Sequence, residues 1–80
     1  MKFEVIGSGC RKCTELEKRV REAVSILGLN AEVEHTYDVS RLIELGVVST
    51  PALVLDEKVI LSGMLPTLDY LVSLIRSKAG

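Results

Sequence analysis

The sequence predicts an α/β fold in which a four-stranded mixed sheet carries helices on both faces, with the element order βαβαββα. Three observations support this fold: short apolar strand patterns, longer amphipathic helix patterns between them, and a closing pair of β-rich runs. A helix joins the first two strands, which implies a parallel pair with a right-handed crossover. The closing hairpin then adds antiparallel strands. With 80 residues, the chain is expected to form one domain over residues 1–80.

The first half of the chain predicts a strand, a long helix and a second strand. The first strand is Lys2 to Ile6, and apolar residues at helical spacing then continue to Leu27. Gly28 suits the left-handed position that ends such a helix. Apolar and polar residues alternate strictly from Ala31 to Tyr37. This alternation indicates a half-buried or edge strand.

The second half of the chain predicts a short helix, a hairpin and a last helix. Asp38 or Ser40 can cap the short helix, whose apolar residues are Leu42, Ile43 and Leu45. Two β-rich runs, Ala52 to Leu55 and Lys58 to Leu61, are separated by a tight turn and predict an antiparallel hairpin. Pro66 suits the first position of the last helix, whose apolar stripe comprises Leu68, Leu71, Val72, Leu74 and Ile75.

Charge and composition argue against several classes of partner. The formal net charge is −1, and charges of both signs are spread along the chain. The chain therefore has neither a basic footprint for nucleic acid nor a polybasic face for anionic lipid. Its first residues lack the pattern of a secretory signal, and no apolar run approaches the roughly 18 residues that a membrane helix needs. We expect a cytoplasmic monomer that binds neither nucleic acid nor membrane.

The two cysteines, Cys10 and Cys13, occur in the run Gly-Ser-Gly-Cys-Arg-Lys-Cys, where the first strand pattern ends and the first helix pattern begins. A helix start has unpaired backbone N–H groups and the positive end of the helix dipole, and both stabilise a thiolate. Arg11 and Lys12 add two positive charges, which should lower the pKa of the Cys10 thiol. Residues three apart on a helix share a face, so the two sulfurs can form a disulfide with little backbone movement. Because a permanent structural disulfide is not expected in a reducing cytosol, catalysis or metal binding remains.

The helical pattern gives the two cysteines different roles. Cys13 shares the apolar stripe with Leu16 and Val20 and should face inward, whereas Cys10 lies at the helix tip. Cys10 is therefore predicted to be the nucleophile that forms a mixed disulfide with a partner protein, and Cys13 the resolving thiol. The pKa of Cys10 should lie below the value of about 8.5 that a free thiol has. A reducing compartment favours the reductase direction, although the residues leave the direction of electron flow open.

Two other functions fit a CxxC motif. A soft-metal carrier could bind Cu(I) or zinc through two thiolates. Metallochaperones of this size resemble a βαββαβ order, however, and a zinc site needs four ligands where Cys10, Cys13 and His35 supply three at most. His35 itself is interpreted as a structural residue of the second strand. The third function is an interaction module in which the cysteines are vestigial.

Pro51 directly precedes an apolar strand, a place where proline fits only at the first position or at an edge. From the residues alone a trans Thr50–Pro51 bond is expected, because about 94% of such bonds are trans in folded proteins. The CxxC after the first strand, the element order and the Thr-Pro before the penultimate strand together resemble the thioredoxin superfamily. The run Gly-Val-Val-Ser-Thr-Pro-Ala-Leu-Val resembles its small prokaryotic thioredoxin-like, redox-active disulfide proteins.

This resemblance spans nearly the whole chain and implies several properties of the site. It implies a cis Pro51 that packs against the CxxC and a Thr50 backbone that pairs with an extended substrate segment. It also implies that the Cys10–Cys13 disulfide is the redox group, with no separate cofactor and no metal. The expected partners are disulfide-containing protein substrates and an electron donor similar to thioredoxin reductase.

The sequence departs from the family pattern in two places. Thioredoxin usually has a tryptophan before Cys-Gly-Pro-Cys, where this chain has Gly9 and an Arg-Lys pair, so the partners of thioredoxin are not implied. Glutaredoxins look similar in size, but their Cys-Pro-Tyr-Cys is absent and their paired glycines are reduced to Ser62-Gly63. Glutathione binding is therefore not implied either.

Glu4 lies six residues before Cys10, the offset at which thioredoxin-like proteins often carry a buried acid. Such an acid accepts a proton from the resolving thiol. From the residues alone, Glu4 is instead expected to be a solvated carboxylate at a strand start. The cations of the first helix, Lys18, Arg19 and Arg21, are expected on its solvated face.

Overall fold

The computed structural model describes residues 1–9, 11–38, 40–47 and 49–79. The elements follow the predicted order βαβαββα: β1 (Lys2–Ile6), α1 (Arg11–Leu27), β2 (Glu32–Thr36), α2 (Ser40–Leu45), β3 (Ala52–Leu55), β4 (Lys58–Ser62) and α3 (Leu68–Ala79). In the described part of the chain, no helix is both long and apolar enough to cross a membrane.

The four strands form one mixed sheet in the order β2-β1-β3-β4. β1 pairs with β2 in parallel, in the register that sets Phe3 opposite Val33. It pairs with β3 in antiparallel fashion, and β4 completes the hairpin on the far side of β3. The prediction of a mixed sheet is confirmed, and β2 is an edge strand, as its alternation indicated.

Helices cover both faces of the sheet, as predicted. Successive residues of a strand point to opposite faces, so Phe3 and Val5 of β1 pack against α1 and α3. This larger cluster also contains Leu16, Val20, Ala23, Val24, Leu53, Leu55, Leu61, Leu71 and Ile75. Ile6 points to the other face and packs against Leu42 of α2, together with Ala52 and Val54.

The β3–β4 hairpin turns on Asp56 and Glu57, whose φ angles are 46° and 70°. Two central residues with positive φ define a type I′ turn, in which the backbone twist matches that of the two strands. Aspartate tolerates this region of φ, so Asp56 suits the turn, whereas the side chain of Glu57 disfavours it. The register of the hairpin shifts between Leu53, which pairs with Leu61, and Val54, which pairs with Val59.

The helix starts differ in part from the prediction. At α2, the Asp38 carboxylate accepts the Ser40 backbone N–H at 3.0 Å, so Asp38 rather than Ser40 is the cap. At α3, the prediction that Pro66 takes the first helical position is wrong. The Thr67 hydroxyl accepts the Tyr70 backbone N–H at 3.2 Å, and this cap sets the start of α3 at Leu68.

Candidate active site

Cys13 lies in the first turn of α1, and its side chain is completely buried. The inward orientation that the helical pattern predicted is therefore confirmed. Arg11 and Lys12, which precede it, are both exposed. Cys10 lies outside the described residues, so its position at the helix tip and its ionisation stay predictions.

Gly7 makes room for Cys13 at the end of β1. A Cβ atom added to Gly7 would overlap the Cys13 Sγ, and it would lie 3.2 Å from the Cys13 Cβ and 3.9 Å from the Pro51 Cα. Because Gly7 has no side chain, the Cys13 thiol and the Pro51 backbone can both approach it closely. Sequence reasoning placed Gly7 only in the run that joins the first strand to the first helix. The signal that could have revealed its role is its place between a buried strand and the CxxC.

The Thr50–Pro51 peptide bond is cis, the state that the resemblance implies and that the residues alone did not favour. Pro51 is fully buried, and its carbonyl accepts the Gly63 backbone N–H at 2.9 Å. Thr50 remains exposed. Thr50 is therefore exposed at the surface, and it directly precedes a buried proline that lies, like Cys13, beside Gly7.

Glu4 is buried, with 8% of its surface exposed, so the expectation of a solvated carboxylate is wrong. Its carboxylate accepts the Thr36 hydroxyl at 2.5 Å and the Arg41 guanidinium at 3.3 Å. Burial alone would raise the pKa of Glu4, but the hydrogen bonds from Thr36 and Arg41 outweigh it and lower the pKa. Glu4 is therefore held as an ionised partner of Arg41 at neutral pH. Its role as a proton acceptor for the resolving thiol stays a prediction.

His35, Glu17 and Tyr37 form a connected cluster beside Gly9. His35 Nδ1 lies 2.7 Å from the Glu17 carboxylate, and the His35 side chain is only 6% exposed, which agrees with a structural role. Its ring stacks on Tyr37 with centroids 4.1 Å apart and planes within 4°. Hydrogen bonds from His35 and then from Arg21 lower the pKa of Glu17. Tyr37 belongs to this site although sequence reasoning gave it only a place in a strand.

Two cations of α1, Arg19 and Arg21, donate hydrogen bonds that link α1 to other parts of the chain. The Arg19 guanidinium donates to the Pro66 carbonyl at 2.6 Å and so links α1 to the segment before α3. Arg21 donates to Glu17 at 2.9 Å and to the Val33 carbonyl at 3.1 Å. Lys18 and Arg21 are exposed, as expected for the solvated face of α1, whereas Arg19 is half-buried, so the expectation is wrong for Arg19.

A cleft of about 300 Å³ adjoins the start of α1 and is lined by Arg11, Lys12, Glu15, Arg19 and Leu65. Three of these residues are cations and one is an acid, so the surface beside the motif is positively charged. Among residues 1–9, 11–38, 40–47 and 49–79, no three His, Cys, Asp or Glu side chains are grouped so that they could hold a metal ion. The observed element order also differs from the βαββαβ order of the metal carriers.

Comparison with known proteins agrees with this architecture. The family described as Thioredoxin domain matches residues 1–76. A thioredoxin of Methanothermobacter thermautotrophicus is 38% identical over 63 residues, which cover 79% of this chain and 82% of that protein. A thioredoxin of Methanocaldococcus jannaschii is 30% identical over 75 residues, which cover 94% of this chain and 86% of that protein. The chain therefore belongs to the thioredoxin family of thiol–disulfide oxidoreductases.

Proposed function

We propose that this protein reduces disulfide bonds of other proteins through a dithiol–disulfide couple formed by Cys10 and Cys13. The observation that carries the proposal is the burial of Cys13 in the first turn of α1, against Gly7 and Pro51. A thiol in this place is sheltered from external disulfides, yet it lies only three positions along the chain from Cys10. Such a thiol suits the resolving step better than the attacking step.

The reaction begins with attack by the Cys10 thiolate on one sulfur of the substrate disulfide. The substrate S–S bond breaks, a mixed disulfide joins Cys10 to the substrate, and the second substrate sulfur leaves as a thiolate and takes a proton. The Cys13 thiol then loses its proton to solvent and attacks the Cys10 sulfur. The bond between Cys10 and the substrate breaks, and the first substrate sulfur leaves as a thiolate and takes a proton. Two electrons pass to the substrate, and the protein is left with a Cys10–Cys13 disulfide. A reductase similar to thioredoxin reductase returns the two electrons.

The residues around the motif support this sequence of steps. The exposed Arg11 and Lys12 add positive charge next to Cys10, which favours its thiolate at neutral pH. The exposed Thr50 precedes the buried Pro51, so the backbone of Thr50 can pair with an extended substrate segment. We place the reaction in the cytoplasm, where the reducing surroundings favour the direction toward substrate dithiols.

The direct test is the reduction of insulin disulfides by the dithiol form of the protein. We expect turnover by the wild type and none by Cys10→Ser. Cys13→Ser should instead accumulate a mixed disulfide that mass spectrometry locates at residue 10. Retention of Cu(I) or zinc without insulin reduction would establish the metal carrier in place of the reductase. Absence of both activities would favour an interaction module.

The assignment of roles has its own test. Alkylation of the reduced protein at increasing pH, followed by peptide mapping, gives the ionisation of each thiol. We expect Cys10 to react first, at a pH below the pKa of about 8.5 that a free thiol has. Faster labelling of Cys13 than of Cys10 near neutral pH would contradict the assignment.

A further inference from the structure

Tyr37 presents an exposed aromatic ring directly beside the motif. The residue is 63% exposed, although its ring also packs against its neighbours. A Cβ atom added to Gly9 would lie 2.8 Å from the Tyr37 Cε1 and 3.1 Å from its Cδ1. The ring therefore occupies the space that a side chain at position 9 would take. Position 9 is the residue immediately before Cys10 in the chain.

The Tyr37 ring is held in place by His35 and, through it, by Glu17. It stacks nearly parallel on the His35 ring, at 4.1 Å between centroids. His35 is fixed in turn, because the Glu17 carboxylate can only accept a hydrogen bond and so holds the proton on Nδ1 at 2.7 Å. Glu17 belongs to α1, the helix that also carries Cys13. The position of the exposed ring is thus set by the same helix as the buried thiol.

We propose that Tyr37 is a specificity-determining residue, whose exposed ring contacts an apolar side chain next to the target cysteine of the substrate protein. This inference rests on the proposed function. A substrate sulfur that bonds to Cys10 brings its neighbouring residues within about 3.3 to 3.6 Å per residue along an extended chain. A neighbour that runs from Cys10 toward Gly9 is within reach of the Tyr37 ring, which lies beside Gly9.

The chemistry of the ring selects the kind of neighbour. An aromatic face that is already ordered by stacking contacts another apolar group with little further loss of side-chain freedom. A small polar neighbour gains nothing from the same contact. The protein should therefore distinguish substrates by the residue beside the disulfide, independently of the thiol chemistry.

The test uses two disulfide peptides that are identical except for leucine or serine next to the target cysteine. The quantity measured is the ratio of the two kcat/KM values. For the wild type we expect a preference for the leucine peptide of about threefold to tenfold, the size of one aromatic contact. Tyr37→Ala should bring this ratio close to one. Tyr37→Gln should do the same, because it keeps bulk over Gly9 without an apolar face.

Two control variants separate this role from others. Tyr37→Phe keeps the ring and should keep the ratio. Tyr70→Ala removes the exposed tyrosine of α3, which is 50% exposed, and should also keep the ratio.

An unchanged ratio in Tyr37→Ala, even with a lower rate for both peptides, would overturn the inference, since a merely structural role lowers both rates together. Equal rates for the two peptides in the wild type would overturn the inference but leave the proposed function intact. A wild type that reduces neither peptide would overturn both.

Discussion

Gly7 and Cys13 meet at the end of β1 with space for only one side chain between them. The Cys13 Sγ occupies the position where the Cβ of any other residue at position 7 would stand. The Pro51 Cα lies 3.9 Å from that position, so Pro51, which directly precedes β3 and is distant in sequence from both residues, borders the same space. The close approach at Gly7 is thus a condition for the burial of Cys13.

Gly7→Ala should destabilise the protein by about 1 to 3 kcal/mol, the usual cost of overpacking a closed interior. It should also speed the alkylation of Cys13 in the native state, because the helix start must move to admit the methyl group. Urea unfolding gives the free energy, and peptide mapping gives the alkylation rate. Gly28→Ala is the matched control: Gly28 has a φ of 65°, and beyond its two chain neighbours an added Cβ would meet no atom of the described residues within 4 Å. It should lose stability through backbone strain alone, with the Cys13 rate unchanged. A Gly7→Ala protein as stable and as slowly labelled as the wild type would refute this account.

Arg41→Met should destabilise the protein at neutral pH by about 1 to 3 kcal/mol, because it leaves the buried Glu4 carboxylate without its cation. In the double variant with Glu4→Gln much of this loss should disappear, because no buried charge then remains. The measurement is urea unfolding of the two single variants and the double variant. Additive losses would show that the two side chains do not interact.

The ion pair between Glu4 and Arg41 should also make the free energy of unfolding depend on pH. The folded-state pKa of Glu4 is lowered, so its contribution is fully present above the ordinary glutamate pKa of 4.5 and is lost as the pH falls through the lower, folded value. In Glu4→Gln the loss of stability over this acid range should be smaller than in the wild type. Unfolding curves from neutral pH to about pH 3 check this. Parallel pH profiles for the two proteins would contradict it.

Arg19→Met should cost about 1.5 kcal/mol, the lower end of the range for a hydrogen bond with a charged donor. The reason is that the Pro66 carbonyl loses the guanidinium that ties α1 to the segment before α3. Lys18→Met, at the exposed neighbouring position, should change the free energy of unfolding by less than about 0.5 kcal/mol. Thermal or urea unfolding compares the two variants. Equal effects would mean that the hydrogen bond adds nothing.

Glu57→Gly should be more stable than Glu57→Gln by about 1 kcal/mol, since glycine adopts the observed positive φ without strain. Both variants lose the ion pair with Arg41, which is 2.5 Å long and has a largely exposed acid. Their difference therefore isolates the backbone term. Urea unfolding provides the measurement, and a glycine variant no more stable than the glutamine variant would argue against strain in this turn.

The element order and the sheet were predictable because they depend on local periodicity. Alternation marked β2, the helical stripe marked α1, and the two β-rich runs marked the β3–β4 hairpin. The start of α3 was misplaced because Pro66 and Thr67 both suit a helix start, and the Thr67 hydroxyl determines the outcome through its bond to Tyr70.

The contacts of the site were largely not predictable, because they join residues distant in the chain. The partner of Glu4 is Arg41, which lies 37 positions away, and no local pattern connects the two. The burial of Cys13 was predicted from its helical stripe, whereas the approach of Gly7, which follows β1, and Pro51, which precedes β3, depends on the assembled sheet. The place of Tyr37 over Gly9 depends on how β2 sits beside β1, which is a property of the assembled sheet.

The enclosure of Cys13 has a consequence for synthesis of the protein. A ribosome releases the chain from its N-terminus, so both cysteines leave the exit tunnel before the residues from Pro51 onward. Until that later stretch has emerged and β3 has paired with the middle of the sheet, the nascent chain lacks the part of the enclosure that Pro51 and β3 provide. Newly made molecules therefore pass through an interval in which Cys13 is open to oxidants and alkylating agents that the finished protein keeps out.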